Sequence, residues 1–214
     1  MTVVTRLFDN HSDALDAVSA LERAGVEADR ISLISNNSDN WHDGHAHSGD
    51  GRQLGDMNGD GENEVAEGAG KGAATGGVLG AGAGVLAGLG MLAIPGLGPV
   101  VAAGWLASTA VAAAAGAAVG GAAGGLLGAL KEAGHDEADA QVYAEGVRRG
   151  GTLVGVRTDE PDRVRVETIL NDRRGFDSLS RGAAYRENGW SGFDAAAEPW
   201  TPEQIAQERA RYNR

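Results

Sequence analysis

The chain has 214 residues, with 18 basic side chains against 30 acidic ones, a formal net charge of -12 and no cysteine. So negative a balance repels phosphate backbones and anionic headgroups at long range, which argues against nucleic acid as a partner. Without cysteine there is no disulfide, no thiol nucleophile and no thiolate metal site, and the absence fits oxidising and reducing compartments alike.

A chain of this length holds one good-sized domain, or a small domain with an appendage. The second arrangement fits better, because the apolar content gathers in the middle while both ends have the mixed texture of ordinary soluble structure. The opening MTVVTRLFDNHSDALD lacks a cationic flank followed by a long apolar run, so the expectation is a cytoplasmic protein.

Residues 1–35 read as strand, helix, strand. TVVTRLF alternates and is rich in β-branched side chains, and Asn10 to Ser12 offer helix caps. Ala14, Leu15, Val18 and Leu21 then repeat at helical spacing, Gly25 ends the run, and RISLIS resumes the strand pattern. Residues 36–67 are rich in Gly, Asp and Asn with little apolar content, and read as an acidic flexible loop.

Residues 68–131 form the most unusual stretch. From Gly72 to Leu130 there is no charged residue, and more than half of the positions are glycine or alanine. IPGLGP, with Pro95, Gly96, Gly98 and Pro99, predicts a turn between two helical arms at about 72–93 and 99–130. In the first arm Gly72, Gly76, Gly80, Gly84 and Gly88 recur at every fourth position. At ~100° per residue they share one face, opposite Val78, Leu79, Val85, Leu86, Leu89 and Leu92. The spacing returns in the second arm as Gly104, Ser108, Ala112, Gly116, Gly120, Gly124 and Gly128. Each helical glycine costs roughly 0.8–1 kcal/mol relative to alanine, so close packing of backbones must offset the run. Both stripes read as glycine zippers, that is, as helix-packing and self-association surfaces.

Two placements satisfy this pattern. A two-pass hairpin in a bilayer would return both flanks to one side, and each arm exceeds the ~20 residues that a span requires. Against it, glycine and alanine contribute little transfer energy, and the arms differ in length, about 33 Å against about 48 Å. Alternatively, a homo-oligomer buries the bulky faces between subunits.

Residues 135–182 read as a helix, DEADAQVYAEGVRRGG with Val142 and Val147 inward, followed by a second strand and helix. TLVGVRT is the strand, Pro161 opens the helix, and Val164, Val166, Ile169 and Leu170 supply its apolar side. Gly175 closes that helix and FDSLS reads as a short fourth strand. Two β-α-β units in tandem make an α+β fold, a ferredoxin-like plait with two helices on one face of a four-stranded sheet, carrying the helical hairpin as an insert. Its uncovered face is a further candidate contact surface.

Residues 183–214 form an aromatic and charged tail. Thr201, Pro202 and Gln204 mark a helix start with a capping box. Tyr185, Trp190, Phe193 and Trp200 precede the helix proper, and such side chains need a partner surface, most simply the chain's own plait.

Three segments VVTRLFDNHSDALDAVSALERAGV, LAGLGMLAIPGLGPVVAAGWLA and DAQVYAEGVRRGGTLVGVR together resemble the heat-induced general stress protein family, the YflT-like domain, in its version with a glycine-zipper insert. The likeness runs over most of residues 2–175 and is most specific at the hairpin turn and YAEGVRRGGTLV. It implies a non-enzymatic, stress-induced protein with no catalytic residues to transfer. The acidic loop and the tail fall outside it.

No motif for chemistry is complete. Asp56, Asn58, Asp60, Gly61 and Glu67 match the spacing of an EF-hand calcium loop, but Asn63 stands where an apolar residue belongs and no helix leads in. His42, His45 and His47 lie in the same loop without a fixed fourth ligand. EGAGKGAATGG fails as a phosphate loop, since Val65 replaces the first glycine and Gly72 the magnesium-binding hydroxyl. No cofactor is implied. The competing functional reading is a regulatory module that senses calcium or a small ligand, with the hairpin as a spacer.

Overall fold

The computed structural model describes residues 1–38, 90–94, 97–116, 124–194 and 196–212. Strand β1 (Thr2–Phe8) leads into helix α1 (His11–Arg23), which Asn10 caps by accepting the Asp13 N–H at 2.9 Å. Ala14, Ala17, Val18 and Leu21 form the buried face of α1, and Gly25 turns the chain at φ +87 towards β2 (Ile31–Asn36).

Strand β5 (Thr152–Thr158) inserts between β1 and β2, antiparallel to both, so that Leu153 faces Leu7 on one side and Ile34 on the other. Helix α5 (Glu160–Asp172) follows, with Pro161 in its first turn. It buries Val166 and Leu170, whereas Val164 is 71% exposed, contrary to the sequence expectation. Two residues along a helix turn the side chain by about 200°, so Val164 and Val166 cannot share a face.

The expected fourth strand shrinks to a single bridge. Leu7 and Phe176 exchange N–H···O bonds of 2.9 and 2.8 Å on the outer edge of β1. FDSLS goes no further as a strand because Asp177 accepts the Ser180 N–H at 2.8 Å and caps a helix, α6 (Ser178–Glu187).

The turn at 94–99 joins strands, which corrects the expectation of helix on either side of it; the rest of the first arm, 72–89, lies outside the described residues. Strands β3 (Gly90–Ile94) and β4 (Gly98–Ala103) pair antiparallel, and β4 pairs in turn with β2, giving a five-stranded sheet in the order β1-β5-β2-β4-β3. The segment from 99 onwards is therefore not one helix. After β4 come α2 (Trp105–Gly116) and α3 (Gly124–Glu132), two short helices packed against each other.

Helix α4 (Glu137–Arg148) forms where the sequence places it, with Val142 and Val147 buried and Gly150 ending the segment at φ +94. Both sheet faces are covered. One core packs α1 and α5 on Val4, Phe8, Leu33, Val154 and Val156; the other packs α2, α3 and α4 on Leu7, Ile34, Val100 and Leu153. The face expected to stay free as a contact surface is thus occupied by the chain's own helices. Among the described residues, no helix is long and apolar enough to cross a membrane.

Candidate functional site

Among the described residues, buried charge gathers where the C-terminal helix α7 (Pro202–Tyr212) meets the end of α4. Thr201 and Gln204 exchange backbone-to-side-chain hydrogen bonds of 2.9 and 3.3 Å, a capping box that starts α7 where the sequence expects it. Ile205 then enters the space over Gly150, where an added Cβ would lie 2.2 Å from the Ile205 Cγ2. One turn on, Glu208 points at Arg149.

Arg149 joins helix to tail. Its Nε donates to Glu145 Oε1 at 2.6 Å and its Nη1 to Glu208 Oε1 at 2.7 Å. The guanidinium lies 4.2 Å from the Tyr185 ring centroid and 5.0 Å from that of Trp200. Glu145 is fully buried and also accepts two 2.9 Å bonds from Arg148, while Glu208 takes a second partner in Arg211 at 3.0 Å. Burial pulls the Arg149 pKa down, but the hydrogen bonds it donates to Glu145 and Glu208, with their charges, outweigh it and leave it above the usual arginine range.

A second buried guanidinium completes the cluster. Arg181 pairs with Asp9 at 2.7 Å and sits over Phe176 at 4.0 Å and Tyr212 at 4.3 Å. Burial raises the Asp9 pKa even though Arg181 pulls the other way. The space enclosed by Asp9, Arg149, Tyr185 and Glu208 is about 10 Å³, scarcely one water. Each buried carboxylate here meets a guanidinium, and these pairs tie the tail to the end of α4 and to β1.

A hydroxyl, an imidazole and a phenol also meet at the other end of α4. Thr5 Oγ1 and His135 Nε2 are 2.7 Å apart, and the Tyr143 hydroxyl donates to the Thr5 carbonyl at 3.0 Å while accepting the Ser178 N–H at 3.2 Å. Burial lowers the His135 pKa against the pull of Asp139 and Asp136, and pushes the Tyr143 phenol up to about 12. Thr5 is 2% exposed.

The tail aromatics lie against the chain itself. Tyr185 is buried in α6 with Trp190 edge-on at 5.9 Å, Phe193 packs on the core under Arg148, and Trp200 covers Arg149. Gly98, at φ +84, lies against Pro199 of the tail, and Pro99 belongs to β4.

The second small-residue stripe divides. Gly104 is not helical: it sits between β4 and α2 at φ +83, where an added Cβ would lie 2.4 Å from the Ile31 carbonyl oxygen. Ser108 is exposed on α2, Ala112 and Gly116 continue that helix, and Gly124 and Gly128 belong to α3. Gly72, Gly76, Gly80, Gly84, Gly88, Gly120, Pro95 and Gly96 lie outside the described residues, as do Asp56, Asn58, Asp60, Glu67 and the three loop histidines.

Sequence reading missed Glu145, Arg149, Arg181 and Glu208. Glu145, Arg148 and Arg149 at i, i+3 and i+4 did carry a signal, an ion-pair spacing within YAEGVRRGG. Arg149 and Glu208 lie 59 positions apart, and no local pattern joins them. Comparison of the chain with family models, curated proteins and solved structures gives no match.

Proposed function

We propose that the chain is a non-enzymatic general stress protein of the heat-induced class, built on a ferredoxin-like plait, that self-associates through its small-residue helices. Strand order supports the plait: Phe176, β1, β5 and β2 alternate between two β-α-β units, and α1 and α5 cover the same face. The neutralised, closed charge cluster under α7 supports a structural role over a catalytic one.

The observation that carries self-association is the outward side of α2. Leu106, Ala107 and Ala110 point into the core while Ser108, a small residue, is exposed on the outward side. Small residues on an outer face let a second helix approach closely. The partner is a second copy of the chain, joined through this side of α2 and the glycines from Gly72 to Gly88.

Light scattering on a sizing column tests this with the full chain. The expected result is a mass that is a multiple of 21.8 kDa and falls in a variant carrying Gly80→Leu and Ser108→Leu. A wild-type mass of one chain at every concentration, or an unchanged assembly in the double variant, overturns the proposal. Retention in carbonate-washed membranes would move the contact into a bilayer and overturn the soluble assembly.

A further inference from the structure

A groove of about 200 Å³ opens on the side of the sheet covered by α2 and α3, beside the exposed end of β1. Its lining is mixed: Val3 of β1, Trp105, Ala129 and Ala133 are apolar, and Thr109 adds a hydroxyl. Trp105 is a fixed platform. Its indole N–H donates to the Arg30 carbonyl at 3.2 Å, and Gly155 leaves room beneath the ring, which an added Cβ would meet at 3.6 Å.

Two opposite charges line this groove without meeting. Arg157 lies over the Trp105 ring, its guanidinium carbon 3.9 Å from the centroid, a cation–π contact. Among the described residues its N–H donors reach no carboxylate within 4.0 Å, and Glu132 on the α3 side has no cation within that distance either. Elsewhere half-exposed Arg30 pairs with Asp159 and Arg163 with Glu167, while Arg23, Arg173, Arg174 and Arg186 resemble Arg157 in having no carboxylate that close among the described residues.

We propose that the groove binds a small zwitterion with an apolar body, of the class of an α-amino acid with an apolar side chain. The ligand carboxylate takes the Arg157 guanidinium, the ammonium takes Glu132, and the apolar side chain lies on Trp105, Ala129 and Ala133. A simple anion would face Glu132 and a simple cation would face Arg157; only a ligand with both charges complements both walls. Volume sets the size: a cavity of roughly 150 Å³ accommodates benzene, so this groove suits the side chain of leucine or phenylalanine. The inference does not depend on self-association.

Calorimetric titration of the full chain with L-leucine and L-phenylalanine tests it, with N-acetyl-L-phenylalanine and L-phenylalaninamide as probes that each lack one charge. The expected result is saturable binding of at least one amino acid below about 10 mM, as befits so few contacts. Arg157→Gln and Glu132→Gln should each weaken it at least about tenfold, and Glu132→Gln should narrow the gap to the N-acetyl probe. Both positions are exposed, and unchanged circular dichroism establishes that the variants remain folded. No saturable heat with either amino acid, or binding indifferent to Arg157→Gln, overturns the proposal.

Discussion

Gly104 separates two accounts of the same residue. As part of a helical stripe of small side chains it should tolerate alanine, which keeps the stripe small and is the better helix former by roughly 0.8–1 kcal/mol. In the fold it is the corner between β4 and α2. There φ is +83, and an added Cβ would lie 2.4 Å from the Ile31 oxygen and 2.8 Å from the Ser32 Cα, both rigid backbone of β2. The corner is stitched by Ser32, whose Oγ donates to the Ala103 carbonyl at 2.8 Å and accepts the Leu106 N–H at 3.1 Å. Left-handed backbone costs a non-glycine residue about 1–2 kcal/mol, and overpacking a tight contact adds about 1–3. Gly104→Ala should therefore destabilise by about 2–5 kcal/mol, a large share of a typical domain's stability. Urea unfolding followed by circular dichroism measures this directly. A loss below about 1 kcal/mol, or a gain, would refute the corner account and return Gly104 to the stripe.

Two further outcomes follow from the buried groups. Arg149→Met leaves Glu208 with only the exposed Arg211 and removes the cation from the Tyr185 and Trp200 rings; a cost of about 3–5 kcal/mol in urea unfolding is expected, with early proteolysis between residues 190 and 201. Wild-type stability to protease there in Arg149→Met would show that the tail is held by its apolar contacts alone. His135 has a folded pKa below its unfolded value of 6.5, so its contribution is present above pH 6.5 and is lost as pH falls through the folded value. The urea midpoint should drop on acidification from pH 7 to 5 by more in the wild type than in His135→Gln, and an NMR titration of His135 at or above 6.5 would refute this.

How legible the fold was depended on how each segment meets water. Helix α1 has one wet face, so its apolar residues kept the period of the element, and its cap and stop stood where the sequence set them. Strands β3 and β4 did not announce themselves. Val100 to Ala103 are all buried between two helical layers, so GPVVAA shows no alternation, and a short apolar run reads equally as helix. The fourth strand failed for a local reason: Asp177 is a better cap than strand residue, and its carboxyl, held below the usual range by Ser180, engages the first turn of α6.

The site was less legible than the fold, because what defines it is pairing between distant segments. Aromatic residues in the tail asked for a partner surface, but not which one. Nothing near Arg149 or Arg181 in sequence points to Glu208 or Asp9. Yet these pairs make the tail part of the domain: Ile205 fills the space over Gly150, Arg209 donates to the Gly150 carbonyl at 2.8 Å, and Glu208 covers Arg149. A chain cut after residue 200 would leave Arg149 and Tyr185 facing water through the opening that α7 closes. The folded unit therefore runs on past residue 175. Its last helix closes the core begun by β1, since Asp9, just beyond β1, and Tyr212, at the end of α7, contact the same guanidinium of Arg181.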